Sequence, residues 1–218
     1  MIRGKATNKD FFVDYHLYLI SPGGAGCSHI HSLLDRNGGL IKNDVDDRDN
    51  LKHLSSPDQS SYQCNNFRSV VYLYNDPLSA IVSHYRRGWQ LMQHKKVIDK
   101  PEDLMINEVS NLKSLQETVL KLKRDVFGVE KHFYNWIKLV ERNNFAVVDF
   151  RDVTDVKDVF GQLLNMSIDY TIRERSSKSK RIIDTLDKEF VDYYTQVDMT
   201  IREEIKNLKS KRKLTRVL

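Results

Sequence analysis

Tyr15-His16-Leu17-Tyr18-Leu19-Ile20-Ser21-Pro22-Gly23-Gly24-Ala25-Gly26-Cys27-Ser28 decides the architecture. Its first six residues alternate and then run apolar, as a strand does, and Ser21-Pro22-Gly23-Gly24 is a set of turn formers that ends it. From Cys27 to Arg36 nothing breaks a helix, Ile30, Leu33 and Leu34 fall at helical spacing, and Asn37-Gly38-Gly39 supplies a stop. The order is strand, glycine loop, helix.

The order recurs downstream. Ser69-Val70-Val71-Tyr72-Leu73-Tyr74 is a nearly continuous β-branched and aromatic run, of the kind buried on both faces in a parallel sheet. Asn75-Asp76-Pro77 follows, with proline suited to a first helical turn, and Leu78, Ile81, Val82, Tyr85 and Trp89 form one apolar face. Helices are predicted over 101–123 and 129–141, a third strand over Phe145 to Phe150, and a helix through Val156, Val159, Phe160, Leu163 and Leu164. A last basic helix is expected from about Asp187 to Lys209. Strands alternating with helices argue an α/β fold with a central, mainly parallel sheet flanked by helices. Tyr72, Tyr85, Trp89 and Trp136 are read as core, since they sit on elements with apolar periodicity.

The 218 residues match one domain, with 40% hydrophobic and 30% charged residues excluding a disordered chain. No apolar run is long enough to span a bilayer, and Met1 to Asp10 is too polar for a signal peptide. Cys27 and Cys64 make neither a disulfide framework nor a four-ligand zinc site. The expectation is a cytoplasmic protein without a metal. Net charge is +5, but Lys206, Lys209, Lys211, Arg212, Lys213 and Arg216 crowd the C-terminus, and removing those six from the 35 basic residues leaves 29 against 30 acidic. The excess therefore belongs to a basic helix or tail over about 206–218, which argues against a nucleic-acid partner for the whole fold.

A glycine turn between a parallel strand and a helix exposes backbone N–H groups at the positive end of the helix dipole and can cradle a phosphate or sulfate. The same turn also ends strands for steric reasons alone, so both readings stand at this point. A nucleoside triphosphatase loop requires lysine after its last glycine, where Cys27 stands here, and the dinucleotide spacing Gly-x-Gly-x-x-Gly is missing. A helix N-terminus can also depress a thiol pKa, but nothing identifies His29 as a base for Cys27. The stretch from Asn43 to Asn66 is polar and aperiodic and reads as a surface excursion, either facing a substrate or merely solvated.

Pro22-Gly23-Gly24-Ala25-Gly26-Cys27-Ser28, followed by a second strand ending in Asn75-Asp76-Pro77 with Ser83 seven residues after Asp76, resembles the sulfotransferases that use 3′-phosphoadenosine 5′-phosphosulfate. Gly128 to Trp136, Phe145 to Val153 and the polar Arg173 to Arg181 segment are similar to later parts of that family, so the resemblance spans about Tyr15 to Ile205. It implies a P-loop-like three-layer fold and transfer of a sulfuryl group to a hydroxyl or amine on a small-molecule or glycan acceptor. It also implies that Gly23, Gly24, Ala25, Gly26, Cys27 and Ser28 hold the donor's 5′ end and that Asn75 and Ser83 face its 3′-phosphate.

Two departures from the family pattern stand out. The loop lysine aligns with Gly24 and the 3′-phosphate arginine with Asn75. Sulfuryl transfer depends on positioning and charge stabilisation, so an unreplaced lysine costs several kcal/mol. Replacement cations are sought in Arg86 and Arg87 and in Arg173, Arg175, Lys178, Lys180 and Arg181, with Arg86 and Lys178 placed at the donor. The family takes its general base from the excursion after the first helix, which offers Asp44, Asp46, Asp47 and His53, with Asp44 and His53 retained as candidates. His29 and His31 could donate when protonated. The alternative expectation is a catalytically silent protein that keeps the nucleotide or anion.

Overall fold

The computed structural model describes residues 16–37, 42–48, 50–57, 68–142, 144–171 and 177–215. Strands β1 (Leu17–Ile20), β2 (Ser69–Tyr74) and β3 (Phe145–Asp149) form a parallel sheet in the order β1-β2-β3. Leu17 lies opposite Ser69, Val70 opposite Phe145 and Tyr74 opposite Asp149. All three strands therefore end at one edge of the sheet, where the connections that follow them gather.

Helices α1 (Cys27–Asn37), α2 (Pro77–Arg87), α3 (Gln90–Val97), α4 (Leu112–Leu122), α5 (Val129–Ile137), α6 (Val153–Leu164), α7 (Ser177–Ile183) and α8 (Lys188–Thr215) complete the described chain, with a 3₁₀ turn at Pro101–Asp103. Apart from Ser69 and Asp149 at strand ends, the strands are apolar or aromatic because both faces are covered. Leu17, Leu19, Val71, Leu73 and Val148 pack with Ile30, Leu33 and Leu34 of α1 and Val156 and Phe160 of α6. Tyr18, Ile20, Tyr72, Tyr74 and Val147 pack with Phe133 and Trp136 of α5 and Ile201 and Ile205 of α8. A third cluster joins Leu78, Ile81 and Val82 of α2 to Leu115 and Val119 of α4 and Phe190 and Tyr194 of α8. The molecule is mixed α/β, a small three-stranded parallel sheet flanked by helices.

Four expectations are corrected. The helix after Pro77 stops at Arg87, because Gly88 takes the left-handed conformation and returns its N–H to the His84 and Tyr85 carbonyls. Trp89, expected in the core, is 48% exposed and lies under the Arg87 guanidinium at 4.4 Å, while α3 begins at Gln90. The helix expected over 101–123 is present only from Leu112; Asn111 starts it by accepting the Ser114 N–H at 3.0 Å. Lastly, the excursion is not merely a surface loop. Asn43 exchanges two hydrogen bonds with Leu19 on the outer edge of β1, and Leu51, Lys52, Ser55 and Ser56 are buried. Leu51 and Leu54 carbonyls accept from Tyr18 Oη and Trp136 Nε1, which straps this segment over the sheet. Cys64, Arg173 and Arg175 lie outside the described residues.

Candidate functional site

The loop from Ser21 to Gly26 leaves the tip of β1 and lies against α2, which leaves the neighbouring tip of β2. Gly24 sits so close to α2 that a Cβ there would be 2.7 Å from Ala80 Cα and 2.9 Å from its carbonyl oxygen. Asn75 Nδ2 approaches the Gly24 carbonyl at 3.5 Å, and Gln93 Nε2 of α3 donates to the Pro22 carbonyl at 2.8 Å. Asp76 caps α2 by accepting the Leu78 N–H at 3.0 Å, and Pro77 occupies its first turn. The predicted loop and the predicted helix start thus come together, and Ser83 follows Ala80 by one turn along α2.

Positive φ at Gly23, Gly24 and Gly26 gives the loop a backbone course that favours glycine at these three positions. Gly23 N–H is bonded to Ser21 Oγ at 3.1 Å. Among the described residues, the N–H groups of Gly24, Ala25, Gly26, Cys27 and Ser28 meet no acceptor. Five consecutive N–H groups without an acceptor lead into an 11-residue helix, whose N-terminus favours an anion. The Ser28 side chain is exposed beside them.

Two imidazoles lie against the loop. His53, from the strap, hydrogen-bonds through Nδ1 to the Ser21 carbonyl at 2.9 Å, so Nδ1 carries the proton and Nε2 holds a lone pair. Its pKa is lowered to about 3, chiefly by burial and further by Lys52, Lys96 and Arg87, with the Ser21 bond working the other way. His84 of α2 is 2% exposed, and its Nε2 would lie 2.7 Å from a Cβ at Gly23. Burial lowers its pKa to about 3, assisted by Arg87 and His53, with a backbone hydrogen bond to Gly23 working the other way.

Other expected residues fall into place less directly. Asp44 is engaged by Arg48 Nε at 2.7 Å and the Asp46 N–H at 2.8 Å; these bonds outweigh partial desolvation and hold its carboxyl below the usual range. Asp47 is paired with Lys96. His31 is fully buried with neither nitrogen bonded, and burial, then Lys52 and Lys42, lower its pKa to about 4, so it enters the core neutral rather than as a cationic donor. His29 instead faces the Phe150 and Tyr170 rings. The Cys27 thiol, 2.8 Å from Ser21 Oγ, is pushed up by burial, the opposite of the helix-terminus expectation. Arg86 and Lys178 are exposed, and α7, which carries Lys178, Lys180 and Arg181, packs against α2.

Sequence reading missed Lys52, a buried lysine whose Nζ donates to the Val45 carbonyl at 2.7 Å. Its charge lowers the pKa of both His53 and Cys27 and so reaches the loop. At the same sheet edge, a cavity of about 560 Å³ opens beside Asp149, Asp198, Arg202 and Lys209. Its charges pair with one another: Arg151 forks between Asp149 and Asp198, Arg202 reaches Asp149 at 3.2 Å and Lys209 pairs with Asp155. Among the described residues no three His, Cys, Asp or Glu side chains gather as a metal site would need, and no helix is long and apolar enough to cross a membrane. Comparison with known proteins gives no match to a family model, a curated protein or a solved structure.

Proposed function

We propose that the chain is a sulfotransferase-like protein with a P-loop-like three-layer fold, holding 3′-phosphoadenosine 5′-phosphosulfate and transferring its sulfuryl group to a hydroxyl or amine. The observation that carries the reading is the row of orphan N–H groups from Gly24 to Ser28, seated beside the start of α2 at the neighbouring strand tip. Those amides would bind the 5′ end, while Asn75 and Ser83 would meet the 3′-phosphate. The bound donor supplies an activated sulfuryl group. His53 orients through the Ser21 carbonyl, stays neutral at pH 7 and offers Nε2 to the acceptor's proton. Lys52 supplies positive charge behind the loop.

One observation favours the second reading, a protein that binds the nucleotide without turnover. Gly24 has no room for a lysine, because Ala80 backbone atoms occupy the space a Cβ requires. Isothermal titration with 3′-phosphoadenosine 5′-phosphate, followed by labelled donor over a panel of hydroxyl and amine acceptors, separates the two. Binding with label transfer supports the enzyme; binding without transfer supports the silent protein; no binding at high micromolar nucleotide removes both.

A further inference from the structure

No Asp or Glu stands between Asp76 and Asp99, a stretch that holds Arg86, Arg87, Lys95 and Lys96. Lys96 pairs with Asp47; among the described residues no carboxylate pairs with Arg86, Arg87 or Lys95, and all three are exposed where α2 turns into α3. Burial and then Arg86 lower the pKa of Arg87, as expected of like charges held side by side with no anion between them. The near-neutral balance of the body as a whole therefore hides a cationic face. The same turn exposes apolar surface. Gln93, His94 and Val97 face α3 into the protein, and its outer side carries Trp89, Met92 and Lys95 at steps of three residues, with Trp89 48% exposed and Met92 half-exposed. Arg87 Cζ lies 4.4 Å from the Trp89 ring centroid, and its Nε donates to the Ser83 carbonyl at 3.0 Å, which fixes the guanidinium over the ring. Gln90 Nε2 donates to the Ser110 carbonyl at 3.0 Å and anchors the start of α3, so the ring stands on a held element.

We propose that this face, made by Arg86, Arg87, Trp89, Met92 and Lys95, binds single-stranded nucleic acid, with a base stacked on the Trp89 ring and the neighbouring phosphates held by the cations. A strand presents flat bases and phosphates in alternation, and the face presents an aromatic ring between cations, with Arg87 on the ring itself and Lys95 about 9 Å further along α3. An anionic membrane fits less well, since inserting the ring would carry the stacked Arg87 guanidinium toward hydrocarbon. An acidic polypeptide would answer the cations and leave the ring without a flat partner. α7, with exposed Lys178, Lys180 and Arg181, packs against α2 and adds positive charge on the neighbouring element. The proposal rests on neither the glycine loop nor sulfuryl transfer.

The test titrates the full chain with oligothymidylate, which carries no adenosine, and reads intrinsic fluorescence. The chain has two tryptophans and Trp136 is fully buried, so a change of emission on binding reports Trp89. Emission is expected to be quenched. Trp89→Ala is expected to weaken binding roughly 5- to 150-fold, the range for one stacked base, and Trp89→Phe to keep most of the affinity. Arg86→Gln and Lys95→Gln should each lower the slope of log affinity against log salt by about 0.7. No binding at low salt overturns the proposal. So does binding that Trp89→Ala leaves intact with wild-type emission unmoved, which would place the strand on the C-terminal basic run. Equal binding and quenching by polyglutamate would show plain charge attraction, and a blue shift with vesicles of phosphatidylserine and phosphatidylcholine, without binding of the oligonucleotide, would assign the face to a membrane; either result overturns it. Should Trp89→Ala melt early, the wild-type quenching and the Lys95→Gln slope decide.

Discussion

Placing the family lysine into the loop, as Gly24→Lys, is expected to unfold the site and not to restore it. Gly24 has φ +68°, where any L-residue pays about 1–2 kcal/mol. Its Cβ would also press on Ala80 Cα and O, backbone atoms of a helix anchored by the core contacts of Ile81 and Val82, and overpacking of this kind costs about 1–3 kcal/mol. Together these give a loss of about 2–5 kcal/mol, a large part of the roughly 5–15 kcal/mol that holds a domain together. For a chain of this length the midpoint of thermal unfolding should drop by roughly 5 to 20 °C. Differential scanning calorimetry on Gly24→Ala and Gly24→Lys separates sterics from charge: the alanine variant should lose nearly as much as the lysine variant, since the first side-chain atom causes the clash. Ala80→Gly should not rescue either, because the nearest atoms are backbone. Gly24→Lys melting within about 2 °C of wild type would refute the close seating of the loop on α2 and reopen position 24 to a cation.

Two further outcomes follow from buried charge. His31, His84 and His132 fold with pKa values of about 4, 3 and 3, each lowered first by burial, against about 6.5 unfolded. The unfolded chain therefore binds more protons below pH 6.5, and stability, complete above that value, is lost as pH falls toward 4. Each ring contributes about 2 kcal/mol of loss at pH 5, so denaturant midpoints measured from pH 7.5 to 5 should fall steeply, and a flat profile would contradict the burial of these rings. Arg151→Met, which leaves Asp149 and Asp198 facing each other without their shared guanidinium, should cost about 3 kcal/mol in urea unfolding, with Asp198→Asn in the same chain recovering part of it; additive losses in the double variant would show that the fork is not a coupled unit.

Strands and their first connections were legible because the signals are local. Ser69–Tyr74 is a run that only a doubly covered strand tolerates, and the predicted and observed bounds coincide. The glycine loop and the helix from Cys27 also read directly from Ser21 to Asn37. What failed were places where a local pattern had two solutions. Tyr85 and Trp89 share helical spacing, yet Gly88 between them can end a helix as readily as it can be tolerated inside one, and the Arg87–Trp89 stack stabilises the exposed side. Pro101 can open a helix, but the chain becomes extended at Leu104 and the helix waits for the Asn111 cap.

The site was legible as residues and not as an arrangement, for a physical reason that bears on how the missing lysine is understood. Sequence shows which residues leave each strand tip; it does not show which turn of α2 the glycine loop will touch. Once Gly24 rests on the Ala80 backbone, a side chain at position 24 is excluded, and any polar contact to the loop must come from groups whose own backbones lie elsewhere. His84, one turn beyond Ala80, and His53 and Lys52, held by the strap through the Ser21 carbonyl and amide, are such groups. Each looks ordinary in sequence, a histidine after a serine on an amphipathic helix or a lysine in a polar stretch. Close packing between loop and helix thus excludes a side chain at position 24.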